Sequence, residues 1–210
     1  ETEGIKTKKI IVADDIASAS EKEKLKRRGI AGMIFVFKIS GACAESGASL
    51  EEVFKLADQA NNNIRTLGVA LSPCILPEAG KPTFEIDDDE IEIGMGIHGE
   101  PGIKREKLKP ANDLVDDLYQ RILDDSKLKS NDKIAIMINS LGATPLEELY
   151  IVSKKFNENL NNSNIINIKS YVGRYATSME MSGMSITTFK LNENLEKYLF
   201  AESACPFWTN

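Results

Sequence analysis

Residues 133–160 read KIAIMINSLGATPLEELYIVSKKFNENL, and this stretch decides the fold class. Its first part, Lys133 to Asn139, is a short run of Ile, Ala and Met, which is typical of a strand buried on both faces of a sheet. Gly142 then breaks the run, and Pro145 stands where a helix can begin, because proline is tolerated in the first turn. The sequence therefore predicts a strand, a short loop and a helix from Leu146 to about Leu160.

The same alternation of strands and helices extends to both sides of this stretch. Two further helices are each preceded by a capping residue, whereas Ile30 to Ile39 fits either a helix or a strand. The predicted helices are Leu50–Asn62 after Ser49 and Asp113–Leu123 after Asn112, and the predicted strands are Lys8–Ala13, Thr66–Ser72, Ile91–Ile97, Ile165–Gly173 and Ser185–Leu191. This order predicts an α/β protein with a largely parallel or mixed sheet. The last ten residues show no regular pattern.

A break in the pattern lies between Pro73 and Asp89, where three prolines, a glycine and an acidic run follow one another. Such residues punctuate secondary structure, so we predict a domain boundary here. Residues 1–75 are then the rear part of a first α/β domain, residues 76–200 a second α/β domain, and residues 201–210 a C-terminal tail.

Composition excludes several classes of protein. The chain has 210 residues, of which 42% are hydrophobic and 28% charged, as in ordinary globular proteins. Its 26 Lys and Arg against 32 Asp and Glu give a net charge of −6, which argues against nucleic-acid binding and against a polybasic membrane surface. No apolar stretch is long enough to span a bilayer. Three scattered cysteines predict neither a disulfide framework nor a zinc cluster, and they favour the reducing cytoplasm.

The chain opens on Glu-Thr-Glu-Gly-Ile-Lys without an initiator Met. This beginning resembles the last turn of a helix with Gly4 at the C-terminal cap. We therefore expect a C-terminal portion of a longer protein, whose missing N-terminal part could carry any targeting signal.

The chain's one histidine, His98, lies in the segment Gly94-Met-Gly-Ile-His-Gly-Glu-Pro-Gly102. Glycine suits positions with positive φ or close backbone approach, so we expect an exposed imidazole on a fixed backbone. This setting suits a nucleophile, a base or a metal ligand, and a structural histidine in a tight turn explains it about as well. A metal site is not predicted, because there is no second histidine and no cysteine lies nearby.

Three other segments carry reactive side chains, and a structural explanation is favoured for each. Asp14 and Asp15 fit a solvated turn or a helix cap better than a ligand site. The loop Asn139–Glu148 could bind an anion, but it lacks P-loop spacing and fits an ordinary connection with a Thr cap. The methionines of Tyr175–Ser185 are expected to fill the core, whereas Glu180 among them has no interpretation from sequence.

Four segments together resemble the dihydroxyacetone kinase family, in particular its substrate-binding K subunit or K domain. In chain order they are Arg27–Gly32, Leu67–Cys74, Glu92–Gly102 and Asn139–Leu149. The resemblance covers roughly residues 1 to 200, and its most specific block is His-Gly-Glu-Pro-Gly at His98.

This resemblance implies two α/β domains with mixed sheets flanked by helices, the first domain being incomplete in this chain. It implies that dihydroxyacetone is held as a covalent hemiaminal on a histidine nitrogen, and His98 is the matching position. It also implies a homodimer without a cofactor of its own, which works with a nucleotide-binding subunit or domain that holds ADP or ATP with Mg. The family carries a second histidine on a Gly-rich loop and an acid/base Asp ahead of this region; this chain has neither motif.

Three interpretations of function stay open. The chain is the substrate-binding part of a dihydroxyacetone (glycerone) kinase, inactive as a fragment; a non-kinase paralogue that senses dihydroxyacetone and co-activates a transcription regulator; or a remnant with only an interaction role. The sequence upstream of Glu1 would separate the first two.

Overall fold

The computed structural model describes residues 3–77, 80–206 and 208–209. Its strands are β1 Ile64–Ala70, β2 Glu90–Ile93, β3 Lys104–Lys107, β4 Lys133–Ser140, β5 Ile166–Gly173, β6 Gly183–Lys190, β7 Ala204–Cys205 and β8 Trp208–Thr209. Its helices are α1 Met33–Glu45, α2 Leu50–Asn63, α3 Ala111–Ser126, α4 Leu146–Asn162 and α5 Glu193–Leu199, with 3₁₀ turns over Glu21–Lys26. The predicted α/β class is confirmed.

Six strands form one mixed sheet in the order β3-β2-β1-β6-β4-β5, while β7 and β8 pair as a separate short ribbon. Only β4 and β5 run parallel; the other neighbours in the six-stranded sheet are antiparallel. The alternative of a largely parallel sheet is therefore wrong, and the mixed sheet is confirmed.

Helices cover both faces of the sheet, which explains the continuous apolar run of β4. Ile134, Ile136 and Ile138 face the layer that contains α3 and α4. Ala135 and Met137 face the opposite layer, which contains α1, α2 and α5. Because successive strand residues point to opposite faces, a strand between two helical layers must be apolar at nearly every position.

Helix α2 begins as its sequence predicts. The Ser49 side chain accepts a hydrogen bond from the backbone of Glu52, and the Glu52 carboxylate accepts one from the Ser49 backbone. This reciprocal capping box satisfies two backbone donors that the first turn of a helix leaves unpaired. The ambiguous segment Ile30–Ile39 is largely helical, since α1 begins at Met33.

The strand predicted at Lys8–Ala13 is wrong, because this extended segment joins no ladder. Its backbone instead bonds to a side chain of α2: the Asn61 amide accepts a hydrogen bond from the Ala13 backbone and donates one to the Ile11 carbonyl. Sheet-like contact begins only at Asp15, which forms a single parallel bridge with Thr66.

The boundary predicted near residue 75 does not separate two sheets. Strand β1 lies before it and β2 after it, and the two are antiparallel neighbours, with Val69 opposite Ile93. Strand β1 also pairs along its whole length with β6. Residues 71–77 and 80–89 therefore belong to a long connection that leaves the sheet and returns to it.

Three regular elements lie where the sequence predicted none. They are β3, α5 and the ribbon of β7 and β8 near the C terminus. Phe207 and Asn210 of the predicted tail, and Glu1 and Thr2 of the predicted helix end, lie outside the described residues. Gly4, predicted as a C-terminal cap, has a φ of +69°.

Candidate functional site

His98 lies on the loop that joins β2 to β3, which we call the histidine loop (residues 94–102). The loop is fastened to the sheet at both ends. The Gly94 N–H donates to the Gly68 carbonyl of β1 at 2.8 Å, and the Ile103 N–H donates to the Ile93 carbonyl at 2.8 Å. The glycine-rich segment is thus a loop that is hydrogen-bonded to the sheet at both of its ends.

Two glycines fix the shape of the histidine loop, as the sequence predicts for close backbone approaches. A Cβ at Gly96 would stand 2.1 Å from a carboxylate oxygen of Glu100 and 2.7 Å from the Arg28 guanidinium. Gly99 has a φ of +83°, and a Cβ there would stand 2.8 Å from the Cβ of Thr83. Contacts below 3 Å cannot be met without movement, and a positive φ is costly for other residues.

The His98 side chain is 80% exposed and projects from this loop into solvent. Glu100 is its nearest charged partner. One carboxylate oxygen of Glu100 accepts a hydrogen bond from the His98 backbone N–H at 3.0 Å, and the other lies 3.5 Å from the imidazole Nδ1. The second ring nitrogen, Nε2, has no hydrogen bond or ion pair among those recorded for the described residues. The site therefore offers an exposed imidazole whose Nδ1 edge faces a carboxylate.

Arg28 connects the histidine loop to the predicted acidic pair. Its guanidinium donates to the Asp15 carboxylate at 2.8 Å and to the Gly94 carbonyl at 2.9 Å. Burial opposes ionisation of Glu100, but hydrogen bonds from backbone amides and the Arg28 charge outweigh it, so the pKa of Glu100 is lowered. For Asp15 burial prevails over Arg28, and the pKa is raised from 3.8. The sequence did not single out Arg28 or Glu100 individually, although both lie inside the segments that carry the resemblance.

Asp14 is fully buried and bonds to the backbone just ahead of α1, so its role is structural, although it is neither solvated nor the capping residue, which is Gly32. Its two carboxylate oxygens accept hydrogen bonds from the backbone of Ile30 at 2.8 Å and of Gly32 at 2.7 Å. Burial raises the pKa of Asp14, against the effect of these hydrogen bonds. Asp15 does begin a turn, since its carboxylate accepts a hydrogen bond from the Ala17 N–H and its carbonyl accepts one from the Ser18 N–H, but it is buried rather than solvated.

The connection between β1 and β2 contacts the histidine loop at Thr83 and is bonded to the loop that precedes β6. Thr83 abuts Gly99, and its hydroxyl donates to the Cys74 carbonyl at 3.2 Å. The neighbouring Ile75 N–H donates to the Glu180 carboxylate at 2.5 Å. Glu180, which had no interpretation from sequence, thus fastens the segment on which the histidine loop rests.

The methionine prediction is right for two of three side chains. Met181 and Met184 are buried, with Met181 in a small apolar cluster that also contains Cys74 and Met95. Met179 is 51% exposed, and its φ of +49° marks a turn. A large side chain in the left-handed region is uncommon, which is why sequence pattern alone misassigned it.

The Asn139–Glu148 segment is an ordinary connection from β4 to α4, with one difference from expectation. Thr144 does not cap the helix; its hydroxyl exchanges hydrogen bonds with the backbone of Gly183 at 2.8 Å. Pro145 itself occupies the capping position. The amide of Asn139 holds the next loop by bonding to the backbone of Tyr175 and Ala176.

The described residues offer no cluster of three or more His, Cys, Asp or Glu side chains suited to a metal ion. Within the same residues, the helices are all too short or too polar to cross a membrane.

Comparison with known proteins defines the class to which this fold and site belong. The Dak1 domain family matches residues 1–207, and the chain belongs to this family. The dihydroxyacetone-binding subunit DhaK of a PTS-dependent dihydroxyacetone kinase from Listeria innocua is 48% identical over 193 residues. That alignment covers 92% of this chain and 59% of the relative. The chain thus spans about three fifths of the length of the DhaK-subunit relatives and about a third of longer relatives such as the D-erythrulose kinase of Mycolicibacterium smegmatis.

Solved structures of both a kinase and a co-activator resemble this chain. The dihydroxyacetone kinase operon co-activator Dha-DhaQ superposes with a TM-score of 0.87 at 33% identity, covering 96% of this chain and 62% of that one. The native dihydroxyacetone kinase of C. freundii gives 0.84 at 34% identity, covering 99% and 37%. The same kinase in complex with AMP-PNP and Mg²⁺ gives 0.74 at 35% identity, covering 92% and 35%.

Proposed function

We propose that this chain is the substrate-binding part of a dihydroxyacetone kinase and holds the ketone as a hemiaminal on His98. The observation that carries the proposal is the geometry of the histidine loop: a single exposed imidazole stands on a backbone anchored to β1 and to its own strand. Dihydroxyacetone has few atoms, so non-covalent contacts alone can supply only limited binding energy. A reversible bond to the ring overcomes this limit and holds a hydroxyl in place for transfer.

The proposed partners follow from what the described residues lack. We propose that ADP or ATP with Mg is held by a separate nucleotide-binding subunit or domain, because this chain offers no P-loop motif and no described metal cluster. The protein is proposed to act in the cytoplasm as a homodimer. An N-terminal region of the same protein is proposed to complete the first domain and to supply acid/base groups.

The adduct is tested on the protein expressed from its full gene, with dihydroxyacetone labelled with carbon-13 at the carbonyl. The wild type should show a new tetrahedral-carbon signal, and His98→Ala should abolish it. Glu85→Ala, an exposed change in the neighbouring connection, is the control and should retain the signal. An undiminished signal in His98→Ala would show that the ketone is held elsewhere.

A second function, as a dihydroxyacetone sensor that co-activates a transcription regulator, is favoured by the high structural similarity to the co-activator. Turnover separates the two. A kinase subunit gives dihydroxyacetone phosphate when a nucleotide-binding subunit with ATP or ADP and Mg²⁺ is added, using the donor system of that partner. A sensor forms the adduct yet gives no phosphorylated product with the same partner.

A further inference from the structure

Glu100 places a carboxylate next to the exposed imidazole of His98. It stands in the same loop as His98 and contacts that residue at two points, through the backbone N–H at 3.0 Å and the ring Nδ1 at 3.5 Å. Both contacts come from one carboxylate, so the ring and the backbone of His98 share a single anchor. Few other groups can orient the ring, because 80% of its surface faces solvent.

The carboxylate is itself held from the opposite side of the loop. It occupies the space over Gly96, where a side chain would stand 2.1 Å from a Glu100 oxygen and 2.7 Å from Arg28. Arg28 bonds in turn to the buried Asp15 and to the Gly94 carbonyl. A fixed cation on the far side of Gly96 favours the ionised carboxylate, which can only accept hydrogen bonds.

We infer that Glu100 is a positioning residue that holds His98 as the Nδ1–H tautomer and leaves the Nε2 lone pair free to attack a ketone carbon. This inference rests on the proposed function of His98. An imidazole nitrogen is a nucleophile only where it carries no proton, and the tautomer is set by what the other nitrogen bonds to. A carboxylate beside Nδ1 accepts a hydrogen bond from the Nδ1–H, as in other sites where a carboxylate orients a reactive histidine.

The atoms of the covalent step balance without a further reactant. The Nε2 lone pair forms the new N–C bond, and the carbonyl π pair moves to the oxygen. The ring is then an imidazolium whose positive charge faces Glu100. Loss of the Nδ1 proton and gain of one proton by the oxygen, by way of water, give the neutral hemiaminal. Glu100 stabilises the charged intermediate without being consumed.

The tautomer is measured directly by nitrogen-15 NMR of the free protein, at a pH well above the ordinary histidine range. His98→Ala identifies the signals of His98, because those are the ones that disappear. In the wild type we expect a protonated Nδ1 and an unprotonated Nε2. Glu100→Ala should give a mixture of tautomers, and Glu100→Gln, which keeps one carbonyl acceptor, should lie between the two.

The rate of adduct formation with carbon-13 dihydroxyacetone provides the second measurement. We expect Glu100→Ala to slow it by about ten- to a hundredfold, by analogy with the loss seen when the group that orients a metal-bound histidine is removed. Glu100→Gln should recover part of this rate, and Glu85→Ala should match the wild type. Hydrogen exchange of the histidine loop distinguishes loss of ring orientation from unfolding of the loop.

Each outcome bears on a different claim. If the wild type forms the adduct while Glu100→Ala keeps both its tautomer and its rate, the role of Glu100 is refuted and that of His98 stands. A wild type that forms no adduct on His98 refutes the proposed function and, with it, this inference. A shifted tautomer with an unchanged rate also overturns the inference, since ring orientation would then not limit bond formation.

Discussion

Substitution of Gly99 by alanine tests whether the shape of the histidine loop controls the reactivity of His98. Gly99 combines a φ of +83° with a Cβ position 2.8 Å from the Cβ of Thr83. Gly47 has nearly the same φ, +82°, but a Cβ there meets nothing within 4 Å. Gly47→Ala therefore measures the conformational cost alone, and the difference between the two variants isolates the contact with Thr83.

The expected magnitudes follow from these two terms. A left-handed conformation costs a residue with a Cβ about 1–2 kcal/mol, and the loss of glycine's freedom in the unfolded chain returns about 0.4–1 kcal/mol. Gly47→Ala should thus destabilise by roughly 0–1.6 kcal/mol by these terms. Gly99→Ala adds overpacking against Thr83, which costs about 1–3 kcal/mol. A free-energy difference of about 1.4 kcal/mol changes an equilibrium constant tenfold. The overpacking alone should therefore lower the population of the correctly shaped loop by about five- to 150-fold.

The assay compares urea unfolding with the affinity for carbon-13 dihydroxyacetone. We expect a local rearrangement of the loop to relieve the strain in Gly99→Ala. Adduct formation should then weaken strongly, while the free energy of unfolding falls by less than the sum of the conformational and overpacking costs. Gly47→Ala, in the connection between α1 and α2, should leave adduct formation unchanged. Equal ketone affinity in Gly99→Ala and the wild type would refute the argument that loop geometry positions His98.

Two further predictions concern the framework that carries the site. Asp14→Ala removes a buried carboxylate and leaves two backbone donors ahead of α1 unpaired, so it should destabilise by about 2–4 kcal/mol in urea unfolding. Ser49→Ala at the exposed cap of α2 should cost about 1 kcal/mol, and equal losses would contradict the role of burial. Burial opposes ionisation of Asp125, but its hydrogen bonds and charge pairing with Arg27 and Arg65 outweigh this and lower its pKa from 3.8. Its stabilisation is therefore present above pH 3.8 and is lost as the pH falls through the lowered pKa. Asp125→Asn should be less stable than the wild type at neutral pH, with the difference shrinking in acid; a constant difference would contradict the ion-pair explanation.

The local sequence pattern predicts those helices and strands that form without a specific partner from a distant part of the chain. Strand β4 and helix α4 follow from hydrophobic spacing alone, because two helical layers demand an apolar strand and one buried helix face demands a period near 3.6. Lys8–Ala13 has equally apolar residues, and Ile10 and Val12 do pack against a core cluster. It is no strand because its backbone bonds to the Asn61 side chain, a partner 48 residues away from Ala13.

The same distinction separates the parts of the site that could be predicted. The glycines around His98 reveal a tight loop, since glycine requirements are local and can be read from spacing. The start of α1 could not be predicted from local spacing, because the carboxylate that bonds to the Gly32 backbone belongs to Asp14, 18 residues earlier in the chain. The contact of Arg28 with the histidine loop could not be predicted for the same reason. Its hydrogen-bond partner, the Gly94 carbonyl, lies 66 residues further along the chain. Long-range polar contacts leave no periodic signal in a sequence.

Because His98 is exposed, the orientation of its ring depends on several residues that are distant in sequence. A buried reactive side chain is held by the atoms packed around it, but a ring that is 80% exposed receives little such support. Its orientation must then come from the loop backbone and from neighbouring polar groups. Glu100 contacts both the ring and the backbone of His98 and is attracted by the charge of Arg28, which bonds to Asp15. Gly99 lies against Thr83 of the connection that Glu180 holds, and these two supports share no residue. Combined substitution of Glu100 and Gly99 should therefore reduce adduct formation by more than either change alone, because neither support can replace the other.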